Sequence, residues 1–198
     1  MNKETSIPID EQKFKYLMDH QKNMNIKSID LEKYNLEVKE SLIKGSGLGL
    51  FTKTKIPKES IICYYPCDII QAPETDLYFE NGEEVSKEKY SEEELKEIKY
   101  GDYNFNLYPF CIIAKEGFKE NKMYVGNFMN DKGYKVNKVY KKSLNNCTIH
   151  GLDVVSLRNI EAGEELYYGY GNGYWYEKDE NVKYSRNQLI KNKVSGVK

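Results

Sequence analysis

The stretch that decides the fold is Ile160-Glu161-Ala162-Gly163-Glu164-Glu165-Leu166-Tyr167-Tyr168-Gly169-Tyr170-Gly171. Glu161–Glu164 reads as a turn, and Leu166-Tyr167-Tyr168 resumes a strand after it. Just upstream, Val154-Val155-Ser156-Leu157 has strong β propensity. Just downstream, Tyr174-Trp175-Tyr176 adds three aromatic residues. This end of the chain is therefore written in short strands and glycine turns, with no helical period.

The same grammar runs back toward the N-terminus. Asn145-Asn146-Cys147 opens a strand over Thr148–His150, and a polar, lysine-rich stretch covers roughly 132–144. Met123-Tyr124-Val125 leads into Asn127-Phe128-Met129-Asn130-Asp131. Cys111–Ala114 suggests a strand, as does the alternation of Tyr103, Phe105 and Leu107. Residues 72–100 are acidic and poor in apolar side chains, so a surface insertion is expected there. Ser91-Glu92-Glu93-Glu94 fits a capping box, which predicts a helix over about 91–99. Ile61–Tyr64 reads as a strand closed by Pro66. Lys44-Gly45-Ser46-Gly47-Leu48-Gly49-Leu50-Phe51 places glycine at every second position after the strand begun by Leu36 and Val38. Phe14, Leu17 and Met18 sit at helical spacing in a polar arm, 1–30, which reads equally as a short helix or a partly ordered extension. The main domain is expected over 31–176, followed by a polar, basic tail over 177–198. The expected class is mainly β with a few short helices. Regular βαβ alternation is missing, which argues against a dinucleotide fold.

Composition narrows the function classes. The 198 residues carry a formal net charge of -1 and are 13% aromatic, with 18 Tyr, 7 Phe and 1 Trp. Such an aromatic content excludes a wholly disordered chain. The near-neutral balance argues against broad electrostatic binding of nucleic acid. Arg158 and Arg186 are the only arginines, few for bidentate phosphate recognition. No apolar run approaches the roughly 18 residues of a membrane span, and no secretory signal is visible. Cys63, Cys67, Cys111 and Cys147, with His20 and His150, show no zinc-ligand spacing. Reduced thiols, an intracellular location and no metal are expected.

Three segments are candidate sites, and each has an ordinary reading. Gly45–Gly49 is a plain hairpin turn or a ligand-contacting loop; it lacks the ending of a phosphate loop. Asn127–Asp131 is a polar clamp suited to an adenine edge, or a loop making backbone caps. Tyr168, Tyr170, Tyr174, Trp175 and Tyr176 are an aromatic channel that attracts a cation, or strand packing.

In this order and spacing, the three resemble a SET-domain protein lysine methyltransferase, from about Tyr34 to Tyr176. The opening motif is Lys44–Phe51, followed by the turn Ile56–Ile61. The middle motif is Asn127–Asp131, Asn146-Cys147 matches a later Asn-Cys element, and Ile160–Gly171 is the closing motif. The resemblance implies several small sheets, with the middle and closing motifs threaded in a knot-like arrangement. It implies S-adenosylmethionine as cofactor, with the methionine end held by Gly47, Leu48 and Gly49. Asn130 and Asp131 would contact its adenosine and amino-acid portions, and Trp175, or a neighbouring Tyr, would cap the cofactor or the channel. Tyr170 would be the catalytic tyrosine, also touching the cofactor. Tyr168 would stand beside it and gate the number of methyl groups, which implies mainly monomethylation. Tyr103, Phe105, Tyr168 and Tyr174 would wall the lysine channel. The sequence departs from the family pattern at Asp131, where His is usual, at Gly169, where Asp is usual, and at Ile113, where Asp is often found. The flanking cysteine-rich zinc modules are missing.

The implied partner is a protein or peptide bearing a target lysine, a histone tail being the commonest class in such families. No membrane and no direct nucleic-acid partner is expected. The alternative is a catalytically weak, SET-like module that binds a protein or peptide.

Overall fold

The computed structural model describes residues 10–26, 33–72, 77–100, 103–115, 117–136, 139–141 and 144–171; at 99, 100, 134–136 and 139–141 it describes the backbone alone. The elements in chain order are α1 (Glu11–Met24), β1 (Leu36–Glu40), β2 (Leu48–Thr52), β3 (Ile61–Tyr64), β4 (Ile69–Gln71), β5 (Tyr78–Glu80), β6 (Glu83–Val85), α2 (Glu92–Tyr100), β7 (Asn104–Leu107), β8 (Phe110–Ile113), β9 (Tyr134–Val136), β10 (Val139–Lys141), β11 (Cys147–His150), β12 (Asp153–Ser156) and β13 (Glu165–Leu166). Two single-turn 3-10 helices, Lys87–Lys89 and Gly126–Phe128, interrupt them. The fold is mainly β, in several small antiparallel sheets, as the strand-and-turn grammar predicts. The chain divides into two compact units.

The first unit holds Met1–Lys33, Ile61–Asn127 and Ile149–Val154. Its main sheet has the order β6-β5-β4-β8-β7. The expected arm helix is two turns longer than its apolar spacing suggests. Asp10 caps it through Lys13 N at 3.0 Å. Its anchor is polar. Gln21 is fully buried. It donates to the carbonyls of Phe79 (2.7 Å) and Asp68 (3.2 Å) and accepts from Gly82 N at 3.0 Å. A buried amide so satisfied positions the helix without a desolvation cost. The 72–100 stretch is not only surface. Tyr78, Tyr90 and Ile98 join Ile69 and Ile113 in a buried cluster. Two of the three buried residues that this stretch contributes to the cluster are tyrosines, which a low count of aliphatic residues conceals. α2 forms where the capping box predicts it: Glu94 N donates to Ser91 Oγ at 3.2 Å, and Ser91 N to Glu94 Oε2 at 2.8 Å.

The second unit holds Tyr34–Ser60, Phe128–Thr148 and Val155–Lys198. β1 and β2 pair from Leu36 opposite Thr52 to Glu40 opposite Leu48, and β13 adds to β2 with Glu165 opposite Phe51. The glycine-rich segment is thus turn and strand together, because its last residues pair on both sides. The lysine-rich 132–144 stretch contains the ribbon β9–β10, whose charges hid it from a pattern-based reading. Leu50, Phe51, Ile56, Met129, Ile160 and Leu166 form the dry centre.

Candidate functional site

The closing motif, the middle motif and the β1–β2 turn meet in the second unit through one carboxylate. Glu165 is 2% exposed, yet it has four donors. Its Oε1 accepts from Ser41 Oγ at 2.7 Å and Asn130 Nδ2 at 3.3 Å. Its Oε2 accepts from Leu42 N at 2.8 Å and Tyr167 OH at 2.7 Å. A buried carboxylate is tolerable only when its lone pairs are engaged in this way. Asn130 Nδ2 also donates to Leu48 O at 2.8 Å, so the Asn130 amide is tied to the strand that carries the glycine turn. Gly49 is required by close approach. A Cβ there would lie 2.2 Å from Glu165 Oε1.

The middle and closing motifs are also joined by backbone. Asn130 bridges Tyr167 in parallel, and Tyr168 N donates to Asn130 O at 3.0 Å. Asp131, also buried, caps this junction. Its Oδ1 accepts from Gly133 N (2.8 Å) and Asn145 Nδ2 (2.9 Å), and its Oδ2 accepts from Tyr170 N at 2.9 Å. Asn146 is 1% exposed and serves as a two-sided clip. Its Nδ2 donates to Glu165 O, and its Oδ1 accepts from Tyr167 N, each at 2.8 Å. Beside it, burial pushes the Cys147 thiol up to about 12.

The two aromatic residues of the closing motif stand together. The Tyr168 and Tyr170 rings meet edge to face at 5.1 Å, both half-buried. Tyr170 OH donates to Met129 O at 2.9 Å. Tyr167 points elsewhere. Burial first, and then its bond to Glu165, push its hydroxyl well above the ordinary tyrosine range. Lys132 Nζ sits 4.6 Å over the Tyr167 ring.

Of the residues expected at the site, Gly47, Leu48, Gly49, Asn130, Asp131, Tyr168 and Tyr170 fall in this second unit. Tyr103 and Phe105 fall in the first. There, Tyr65 OH donates to Tyr103 O at 3.0 Å, and the Tyr65 ring lies 5.7 Å from that of Phe105. Tyr174 and Trp175 lie outside the described residues. Pattern reading missed Glu165, Asn145 and Ser41 as members of the network. Their signal was only polarity, and Glu165 in particular reads as one more charge in an acidic turn. Among the described residues, no group of His, Cys, Asp or Glu is arranged to hold a metal ion. The four cysteines are free thiols. Among the described residues, no helix is long and apolar enough to cross a membrane.

No curated protein matches the chain. The family model of the SET domain matches residues 47–171, from the second glycine of the opening turn to the last glycine of the closing motif. That span takes in the glycine turn, the Asn130–Asp131 junction and the Tyr168–Tyr170 pair, and it covers more than half of the sequence: the chain belongs to the SET-domain family.

Proposed function

We propose that the chain is an S-adenosylmethionine-dependent protein lysine methyltransferase that mainly adds a single methyl group. The observation that carries this reading is the fixation of Tyr170. Its amide is held by Asp131, its hydroxyl by Met129 O, and its ring by Tyr168. A tyrosine fixed at three points suits a reaction whose demand is alignment.

The residues fit the cofactor. A Cβ at Gly45 or Gly47 would meet nothing within 4 Å, and Leu48 is 52% exposed. The space beside this turn is therefore open to the ammonium and carboxylate of a methionine-like ligand, although Gly47 O and Leu48 O already accept from Ser41 N and Asn130 Nδ2, each at 2.8 Å. Gly47 and Leu48 would hold that end through backbone groups, and Asn130 would border it. Gly49 contributes by admitting Glu165. Asp131 substitutes for the family's usual His as an acceptor that secures Tyr170 and Asn145. When bound, the cofactor supplies an electrophilic methyl group.

The chain's part is to present a neutral amine. Deprotonating a lysine of pKa about 10.4 at pH 7 costs roughly 4–5 kcal/mol. Tyr168 and Tyr170 would shield the amine from water beside a cationic cofactor, and this desolvation and like charge would outweigh the pull of the ring faces and disfavour the ammonium form. A Tyr hydroxyl orients the nitrogen as donor or acceptor without ionising. Tyr168 also occupies space that a methylated nitrogen would need, hence the single methyl. Candidate substrates are histone tails and other lysine-bearing proteins.

Calorimetry with S-adenosylmethionine tests the cofactor assignment, and mass spectrometry of products from core histones tests the rest. Monomethyl-lysine from the wild type is expected, with Tyr168→Phe moving product toward di- or trimethyl-lysine. Absence of cofactor binding at millimolar concentration would leave a protein-binding module as the better reading.

A further inference from the structure

A cavity of about 380 Å³ lies within the first unit between α2 and the five-stranded sheet. Its floor is Ile69, Ile98 and Ile113, and Tyr103 forms a wall. Glu94 and Glu97, one helical turn apart on α2, stand on its rim. Most other polar groups nearby are committed inward, but Asn104 Oδ1, on the cavity lining, is a buried acceptor with no hydrogen-bond partner. Lys115 Nζ is 2.9 Å from Glu80 Oε1, which also accepts from Tyr90 OH at 3.1 Å. Asn104 Nδ2 closes the end of α2 by donating to Ile98 O at 2.7 Å. Glu94 and Glu97 are exposed, and no basic side chain among the described residues is within ion-pair distance of either. Bonds from Ser91 hold the Glu94 carboxyl below the ordinary range, so it stays charged.

We propose that this cavity is a recognition pocket for a basic side chain of the peptide substrate, distinct from the lysine that is methylated. The aliphatic stem packs on the three isoleucines beside Tyr103, and the cation reaches Glu94 and Glu97. Charge complementarity selects this occupant over an aliphatic one, for which two carboxylates that lack a cationic partner among the described residues would be a desolvation burden. The same carboxylates exclude the reacting lysine. They stabilise its ammonium form, the opposite of what methyl transfer needs. Tyr103, expected in the lysine channel by resemblance, is thereby assigned to substrate selection. The inference rests on the methyltransferase reading, but its test does not.

The test is a titration of the full chain, labelled at isoleucine methyl groups, with acetyl-Gly-Arg-Gly-amide, its lysine counterpart and its uncharged citrulline counterpart. No methyl donor is present. The arginine or lysine peptide is expected to shift the Ile69, Ile98 and Ile113 signals, with the citrulline peptide binding far more weakly. Glu97→Lys alters an exposed side chain and should weaken the basic peptide about tenfold by exchanging attraction for repulsion. Equal binding of citrulline, shifts confined to other residues, no shift up to about 20 mM peptide, or no effect of Glu97→Lys would each overturn the pocket. A chain that binds the peptide here but transfers no methyl keeps the pocket and loses the proposed function. A chain that methylates but gives no such shifts keeps the function and loses the pocket.

Discussion

Gly49→Ala should be one of the most damaging single-methyl additions available to this fold. The new Cβ would stand 2.2 Å from Glu165 Oε1, 2.8 Å from its Cδ and 3.2 Å from Ser41 Cβ. Ordinary carbon–oxygen contact requires the carboxylate to retreat by about 1 Å. Its surroundings do not allow a free retreat. The Oε1 bonds from Ser41 and Asn130 are 2.7 and 3.3 Å long, and such a shift takes them beyond bonding range. Hydrogen bonds to a charged group contribute about 1.5–3 kcal/mol each. Allowing partial relaxation, the loss is about 3–5 kcal/mol, or a fall in Tm of roughly 6–20 °C for a chain of this size. Urea and thermal unfolding measure it. A double-mutant cycle assigns the cause. In a Glu165→Ala background, or Glu165→Asp if that folds poorly, only the mild Ser41 contact remains. Gly49→Ala should then cost about 1 kcal/mol or less. Equal costs in both backgrounds would refute the reasoning and place the strain in the turn itself.

Asp131→Ala should release Tyr170 N, Gly133 N and Asn145 Nδ2 together. A stability loss of about 2–4 kcal/mol is expected, with Asp131→Asn intermediate; an unchanged unfolding midpoint would contradict the pinning role. His20 packs among the Tyr16, Tyr64 and Tyr124 rings, with Nδ1 2.7 Å from Tyr124 OH. Burial lowers its pKa below the ordinary value, with Asp153 and Asp19 opposing in part. The unfolded chain therefore binds the extra proton more readily. His20 should leave stability intact above about pH 6.5 and erode it as pH falls below that. His20→Phe should flatten the dependence of unfolding free energy on pH between about 7.5 and 5.5, and an unchanged slope counts against it. Thiol titration at about pH 8 should modify Cys111 first. Cys63, Cys67 and Cys147 are buried, and burial raises the thiol pKa of Cys67 and Cys147. Burial raises the half-buried Cys111 as well, so even its reaction should be slow. Rapid native-state labelling of all four would contradict the packing.

Much of the fold was legible because its strands obey local rules. β3, β7, β8, β11 and β12 appear where alternation and β-branched runs place them, and α2 where Ser91 and Glu94 form a capping box. The strands that escaped notice, β4, β5, β6, β9 and β10, are three residues each. Three residues cannot display a period, and they are held by long-range pairing that local propensity does not encode. Gln21 anchors α1, although the helical spacing of Phe14, Leu17 and Met18 draws attention only to apolar residues. The site divides in the same way. Asn130, Asp131, Tyr168 and Tyr170 stand out as motif letters. Glu165 does not, because its importance lies in four donors, three of them drawn from two distant segments. Gly49, read as one of three turn glycines, turns out to be needed for space. Its neighbour Gly47, at φ 70°, is needed for conformation.

The most direct test of the central claim is transfer of a labelled methyl group from S-adenosylmethionine to core histones and a lysine peptide array. Tyr170→Phe runs in parallel, with its folding checked by thermal unfolding. Label on lysine is expected with the wild type, and its loss with a folded Tyr170→Phe. Labelling that survives the substitution would contradict the role given to Tyr170. A wild-type chain that binds the cofactor and labels no lysine on any substrate would contradict the claim itself.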